Sequence, residues 1–211
     1  ALEPGRPVPW DRVWAVAHGR SEFDPDRPEW VRARNFVTQT HIPGLARIRV
    51  AFDEAAGRLT LAHPERPEIA LDPDTREGAA ALAEWIAPLA PMRPGPYRIA
   101  RLPEGALTDF PDSQVAINSV ASLRALEGAA GRPLARVRFR GNVWIEGLAP
   151  WEEFDLVGRE IALGEARLRV TERIMRCNAT AASPETGRRD LPLPEILESR
   201  WGHGDFGVYA Q

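Results

Sequence analysis

The stretch REIALGEARLRVTERIMRCNATAASPETG, residues 159–187, decides how the second half of this chain is read. Through Ile174 it alternates apolar and charged side chains about Gly164-Glu165, the pattern of a β-hairpin with one buried face. Then the alternation, set by Leu168 and Val170, stops, and a Thr/Ser/Pro/Gly loop follows. At that junction stands Cys177, the only cysteine of the chain. Arg176 precedes it directly and Arg173 lies just upstream. Adjacent positive charge favours a thiolate, and a thiolate is a soft ligand suited to a soft or heavy metal. A lone cysteine is also commonly a small buried hydrophobe. Two readings therefore stand, a core residue or a reactive sulfur kept anionic by guanidinium groups. The strand-to-loop position favours the second, because functional side chains collect on loops carried by a rigid scaffold.

The same periodicities organise the flanking sequence. In LARVRFRGNVWIEG (134–147), Val137 and Phe139 alternate with Arg136, Arg138 and Arg140, which predicts a strand, and Gly141 suggests a bulge or a close backbone approach. Upstream, NSVASLRALEGAAG (118–131) predicts a helix capped by Ser119, carrying Val120, Leu123 and Leu126, and ended by Gly128 or Gly131. Downstream, LPEILESRW (193–201) predicts a short last helix. Residues 11–62 read as strands, with ARIRVAFD (46–53) and RLTLA (58–62) forming a hairpin near Gly57. Asp74 and Glu77 suggest a capping box for a helix from about 75 to 89, whose apolar stripe is Leu82, Trp85, Ile86 and Leu89. PMRPGPY (91–97) reads as a linker, dividing an N-terminal lobe (1–95) from a second domain (96–211). The expected fold class is a β-rich α+β architecture with curved or barrel-like sheets and a few packing helices. The opening ALEPGRPVPWDR and the closing FGVYAQ both read as mid-element.

With 211 residues, 44% of them hydrophobic and 27% charged, the chain has the composition of a soluble globular protein. A formal net charge of −3 gives no reason for a nucleic-acid partner or a membrane surface. One cysteine excludes an internal disulfide and a CxxC pair and fits a reducing, cytoplasmic compartment. No apolar run reaches the length of a spanning helix, and ALEPGRPVPWDR, without an apolar h-region, does not read as a signal peptide. All basic residues are arginine. His18, His41, His63 and His203 lack the clustering or spacing of a zinc site. A Cys-His nucleophile would need a histidine brought in by the fold, with His203 as a candidate. No phosphate-cradling glycine loop occurs. The arginine stripes at 136/138/140 and 167/169 read as solvated strand faces paired with carboxylates. DFGVY (205–209) carries the letters of a kinase signature without its lysine or glycine loop.

Taken in order, four segments carry a family resemblance, and the closing FGVYAQ (206–211) adds to it. DRVWAV (11–16), DFPDSQVAINSVASLRAL (109–126), RFRGNVWIEG (138–147) and RCNATAASPETG (176–187) together resemble MOSC-domain proteins, named after the C-terminal domain of molybdenum cofactor sulfurase. The pattern is most similar to the mitochondrial amidoxime-reducing components and their bacterial counterparts. The resemblance implies an N-terminal β-barrel lobe packed on a MOSC β-barrel core. It also implies molybdenum cofactor (Mo-molybdopterin) as the bound group. Cys177 would be the thiolate ligand of the metal and the catalytic residue. Arg12 would reach the cofactor phosphate, for which a guanidinium fork is suited. Asp112 and Ser113 would bind the pterin from their turn, Arg140 and Asn142 from one strand face, with Arg176 beside them and Thr180 bracing the cysteine loop.

The implied activity is reduction of a small N-hydroxylated or N-oxide substrate, with electrons from a separate flavin or ferredoxin-type protein. The alternative is a sulfur carrier or cofactor-docking module in which Cys177 holds a persulfide. The sequence departs from the family pattern at Gly141, where relatives carry proline, and at Met175, where some carry a small polar residue. The family's phosphate-binding Pro-Val/Ile-Lys-Gly/Ser segment would precede residue 1, and its Gly-x-Ile-x-x-Gly-Asp strand would follow residue 211.

Overall fold

The computed structural model describes residues 6–112 and 114–211. The chain divides into two units, one of Arg12–Pro111 with Pro184–Gly187, the other of Ala1–Asp11, Asp112–Ser183 and Arg188–Gln211.

In the Arg12–Pro111 unit, β1 (Trp14–Ala17) comes first. β2 (Arg49–Asp53), β3 (Arg58–His63) and β4 (Arg66–Leu71) then form an antiparallel sheet in that order, with Arg49 opposite Ala62 in the hairpin read from sequence. The region between β1 and β2 is not strand, as expected from sequence, but irregular chain with 3-10 turns at Ala33–Asn35 and Pro43–Arg47. Local side-chain bonds replace a ladder there. Asn35 Oδ1 accepts from the Glu22 amide at 2.7 Å and Asn35 Nδ2 donates to Arg32 O at 3.1 Å. Prolines 25, 28 and 43 remove donors from the same stretch.

α1 (Arg76–Ile86) lays Leu82, Trp85 and Ile86 against Leu59, Leu61 and Leu71. Its N-cap is Thr75, not the Asp74 of the expected capping box: Thr75 Oγ1 accepts from the Gly78 amide at 3.0 Å. Asp74 is engaged elsewhere, accepting from Trp14 Nε1 at 2.8 Å and pairing with Arg101. Pro88, which has no amide hydrogen, sits in the 3-10 turn Ala87–Leu89 that follows the helix. Thr75→Ala is expected to cost about 1 kcal/mol, read from the urea midpoint, because one orphan helix amide loses its acceptor. Residues 91–97 lie within this unit, and β5 (Arg98–Arg101) after them pairs antiparallel with β1.

The Asp112–Gln211 portion of the second unit is a strand-rich α+β assembly. β6 (Val115–Ser119) runs into α2 (Val120–Ala130), where Ser119 Oγ accepts from the Ser122 amide and Gly131 ends the helix at φ +70°. β7 (Val143–Ile145) follows, then the hairpin of β8 (Glu160–Leu163) and β9 (Ala166–Met175), then α3 (Leu193–Trp201) and β10 (Asp205–Ala210). The five strands make one curled sheet in the order β7-β6-β10-β9-β8, a half-barrel with β6 and β7 parallel and the other pairs antiparallel. One core cluster joins Val115, Ile117, Val170 and Val208, and another joins Leu123, Leu126, Phe139, Leu193, Leu197 and Phe206.

The expected strand over 134–147 is corrected. Arg136–Phe139 is a 3-10 turn, Arg140 is left-handed at φ +49°, and only Val143–Ile145 is strand. Leu134 and Phe139 both anchor in the same core, which winds the intervening chain tightly instead of extending it. The arginines therefore share no solvated face, and Arg138 is 5% exposed.

Candidate functional site

Cys177 lies just past the end of β9 and is exposed, so the reading of it as a core residue is set aside. Its loop is tightly bonded within itself. Thr180, which is buried, donates to Cys177 O from its amide at 3.1 Å and from Oγ1 at 3.0 Å. The Ala182 amide donates to Ala179 O at 3.2 Å. Two bonds from one residue to the cysteine carbonyl close a rigid turn that carries the thiol outward.

Arg176 points the other way, into the protein. Its guanidinium donates to Phe206 O from Nε (2.8 Å) and Nη2 (2.5 Å), to Phe139 O from Nη1 (2.8 Å), and to Asn118 Oδ1 from Nη2 (2.8 Å). Arg173 stacks over the Phe154 ring with its guanidinium carbon 4.5 Å from the centroid. The planar fork of Arg176 thus ties the cysteine loop to β6, β10 and the turn before Arg140 in one step. Asn118, fully buried, is the hub of this knot and had no signal in the sequence beyond its place before the Ser119 cap. Its Nδ2 has no partner among the described residues. A Cβ at Gly141 or at Gly207 would run into its side chain, which explains glycine at both positions.

Asn142 and Arg140 are gathered by Asp11, another residue that sequence reasoning passed over. Asn142 Nδ2 donates to Asp11 Oδ2 at 3.0 Å, while Asn142 Oδ1 accepts from the Ala116 amide at 2.8 Å. Arg140 Nη2 lies 3.9 Å from Asp11 Oδ1, with 57% of its side chain exposed. The two do not share a strand face, because left-handed Arg140 precedes the strand. Non-glycine residues in that backbone region are strained and collect where a side chain must be aimed. Asp112 is exposed in this same unit, Ser113 lies outside the described residues, and Arg12 belongs to the other unit, itself left-handed at φ +54°. Met175 is 81% exposed at the end of β9. His203 is edge-on to Trp151 and Phe154, and its Nδ1 accepts from the Asp205 amide at 3.2 Å.

A buried carboxyl sits within the same half of the chain. Glu153 is fully buried, with Oε2 accepting from Ser122 Oγ at 2.7 Å and Oε1 without a partner among the described residues. Burial pushes its carboxyl above the ordinary glutamate range, against the Ser122 hydrogen bond. A raised native pKa means that the folded state holds the proton more tightly. Stability is then greatest below the ordinary glutamate pKa and falls as pH rises through the raised value. Glu153→Gln cannot ionise and is expected to flatten that fall, checked by denaturation midpoints from about pH 4 to pH 8.

Among the described residues no cluster of three or more His, Cys, Asp or Glu side chains could hold a metal ion. The donor set on offer is one exposed sulfur with exposed Arg140 in the same unit. That suits a metal whose remaining ligands come from an anionic organic cofactor, and not one caged by protein alone. No helix among the described residues is long and apolar enough to cross a membrane.

Fold and site together define an α+β protein whose curled sheet presents a single thiol from a braced loop. The MOSC domain family matches residues 104–211, just over half of the chain, and the chain belongs to that family. MOSC domains are associated with proteins related to molybdenum cofactor sulfurase. No curated protein matches the chain.

Proposed function

We propose that this chain is a molybdenum cofactor-binding oxidoreductase that reduces N-hydroxylated or N-oxide substrates, with Cys177 as the thiolate ligand of the metal. The observation that carries this reading is the exposed sulfur just past β9 in a chain of the MOSC family. Molybdenum cofactor held by these residues would supply two-electron removal of oxygen from nitrogen, the electrons coming from the separate donor protein and the oxygen leaving as water. The residues supply ligation and orientation. Arg140 offers its guanidinium to an anionic group of the cofactor, and Arg12 offers its fork to the phosphate. Asp112 and Ser113 hold the pterin, and Asn142, fastened at both ends of its amide, keeps Arg140 and Asp11 in register. Thr180 and Arg176 hold the backbone on either side of the thiol. The lobe division at 95/96, with a barrel in each lobe, is part of the same reading. So are relatedness to the amidoxime-reducing components, a separate flavin or ferredoxin-type electron donor and a cytoplasmic site of action.

The test is metal and pterin analysis of protein purified from a molybdenum-replete host, beside turnover of a benzamidoxime-type N-hydroxylated probe with a reducing dye. Metal and pterin near one per chain with turnover is the expected result. Metal-free protein overturns it. If intact mass then shows one extra sulfur on Cys177, the persulfide-carrier reading replaces it.

A further inference from the structure

The turn that presents Cys177 rests on a buried cation. Arg138, read from sequence as one of a solvated stripe, has only 4% of its side chain exposed. Its Nη1 donates to Thr180 O at 3.2 Å and to Ala181 O at 3.3 Å, and its Nη2 donates to Asp190 Oδ2 at 2.9 Å. Asp190 closes the circuit, since its own amide donates to Ala181 O at 3.1 Å and its carboxylate also pairs with Arg132. The far end of the turn is equally tied, because Thr180 donates twice to Cys177 O. A line of hydrogen bonds therefore runs from Arg138 through Thr180 to the backbone of Cys177. None of these contacts uses the thiol, and all of them restrict where it can stand.

A guanidinium buried to this degree is costly to desolvate, and Arg138 Nε and Asp190 Oδ1 lack partners among the described residues. Packing alone would be served as well by an apolar side chain of similar volume. What such a side chain could not do is bind two successive carbonyls and a carboxylate from one rigid plane. We infer that Arg138 is a positioning residue: its fork locks the Cys177–Ala181 turn and so sets where the sulfur is presented. The consequence for metal retention rests on the reading of Cys177 as the ligand.

The test compares the parent chain with Arg138→Lys and Arg138→Met by amide hydrogen exchange, thermal melting and molybdenum content. Lysine keeps the charge, but its one nitrogen, drawn to the Asp190 carboxylate, cannot also serve the two carbonyls that Arg138 reaches from a second nitrogen. The expected result is that Arg138→Lys melts close to the parent, while the Thr180 and Ala182 amides exchange at least about tenfold faster and the Leu126 amide in α2 is unchanged. Arg138→Met should show the same local loss with a lower melting temperature. Molybdenum content should fall in both variants. The inference is overturned if lysine restores Thr180 protection, or if exchange accelerates uniformly across the core. A parent chain that binds no molybdenum defeats the proposed function alone, since the exchange pattern still judges Arg138.

Discussion

Cys177→Ala is expected to lower turnover of an N-hydroxylated probe by at least about 1000-fold while leaving the melting temperature within about 1 °C of the parent. The split follows from where the sulfur stands. Cys177 is exposed and lies beyond the strand end, so its removal deletes neither core contact nor ladder bond. Surface substitutions of this kind ordinarily shift stability by no more than about 0.5 kcal/mol. The thiol is, however, the one group in the chain that can ligate a metal as a thiolate. Cys177→Ser is the informative companion, because it puts a hard oxygen where a soft sulfur stood with little change in volume. Serine should retain some metal yet lose the sulfur-to-metal absorption along with most of the activity. Elemental analysis, visible spectra and initial rates on the three proteins check this. Unchanged rates in both variants would remove Cys177 from the chemistry.

Gly207→Ala should be strongly destabilising for a change of one methyl group. Gly207 lies on β10 at φ +79°, a backbone conformation in which an alanine costs about 1 kcal/mol or more. The added Cβ would also sit 2.6 Å from Ile117 O and collide with Asn118 Oδ1. Ile117 O belongs to the neighbouring strand and cannot swing aside. Asn118 Oδ1 holds Arg176, so its displacement loosens the cysteine loop as well. Overpacking of this kind adds about 1–3 kcal/mol, for a total of roughly 3 kcal/mol. For a chain of this size that lowers the melting temperature on the order of 10 °C. Gly141→Ala is the control. Its Cβ meets side-chain atoms, of Asn118 and Trp144, and it has no positive φ to lose, so its cost should be smaller. Equal melting temperatures for parent and Gly207→Ala would refute the clash.

Much of this architecture is legible from periodicity. The hairpin turning at Gly164, the helix capped by Ser119 and closed at Gly131, and the final helix before Gly202 all follow from alternation, caps and left-handed glycines. The reading of 134–147 as strand failed for a physical reason. Arginine and apolar residues alternated there, but Arg138 finds a partly buried carboxylate and two carbonyls more than forty residues away, which no local pattern encodes. Asp74 failed as a cap in the same manner, drawn off by Trp14 and Arg101.

By itself, then, the order of residues determined the strand-rich class, the places of the three helices, the family and the choice of Cys177 as the residue to watch. Those are local properties, set by side-chain spacing and by which backbone angles each residue tolerates. Only the tertiary structure decided which arginines face water and which are spent inside. Arg176 and Arg138 are near neighbours in composition and pattern to Arg136 and Arg140, yet they hold buried oxygen atoms from distant segments. A guanidinium goes wherever enough acceptors converge to repay its desolvation, and convergence is a property of the folded chain.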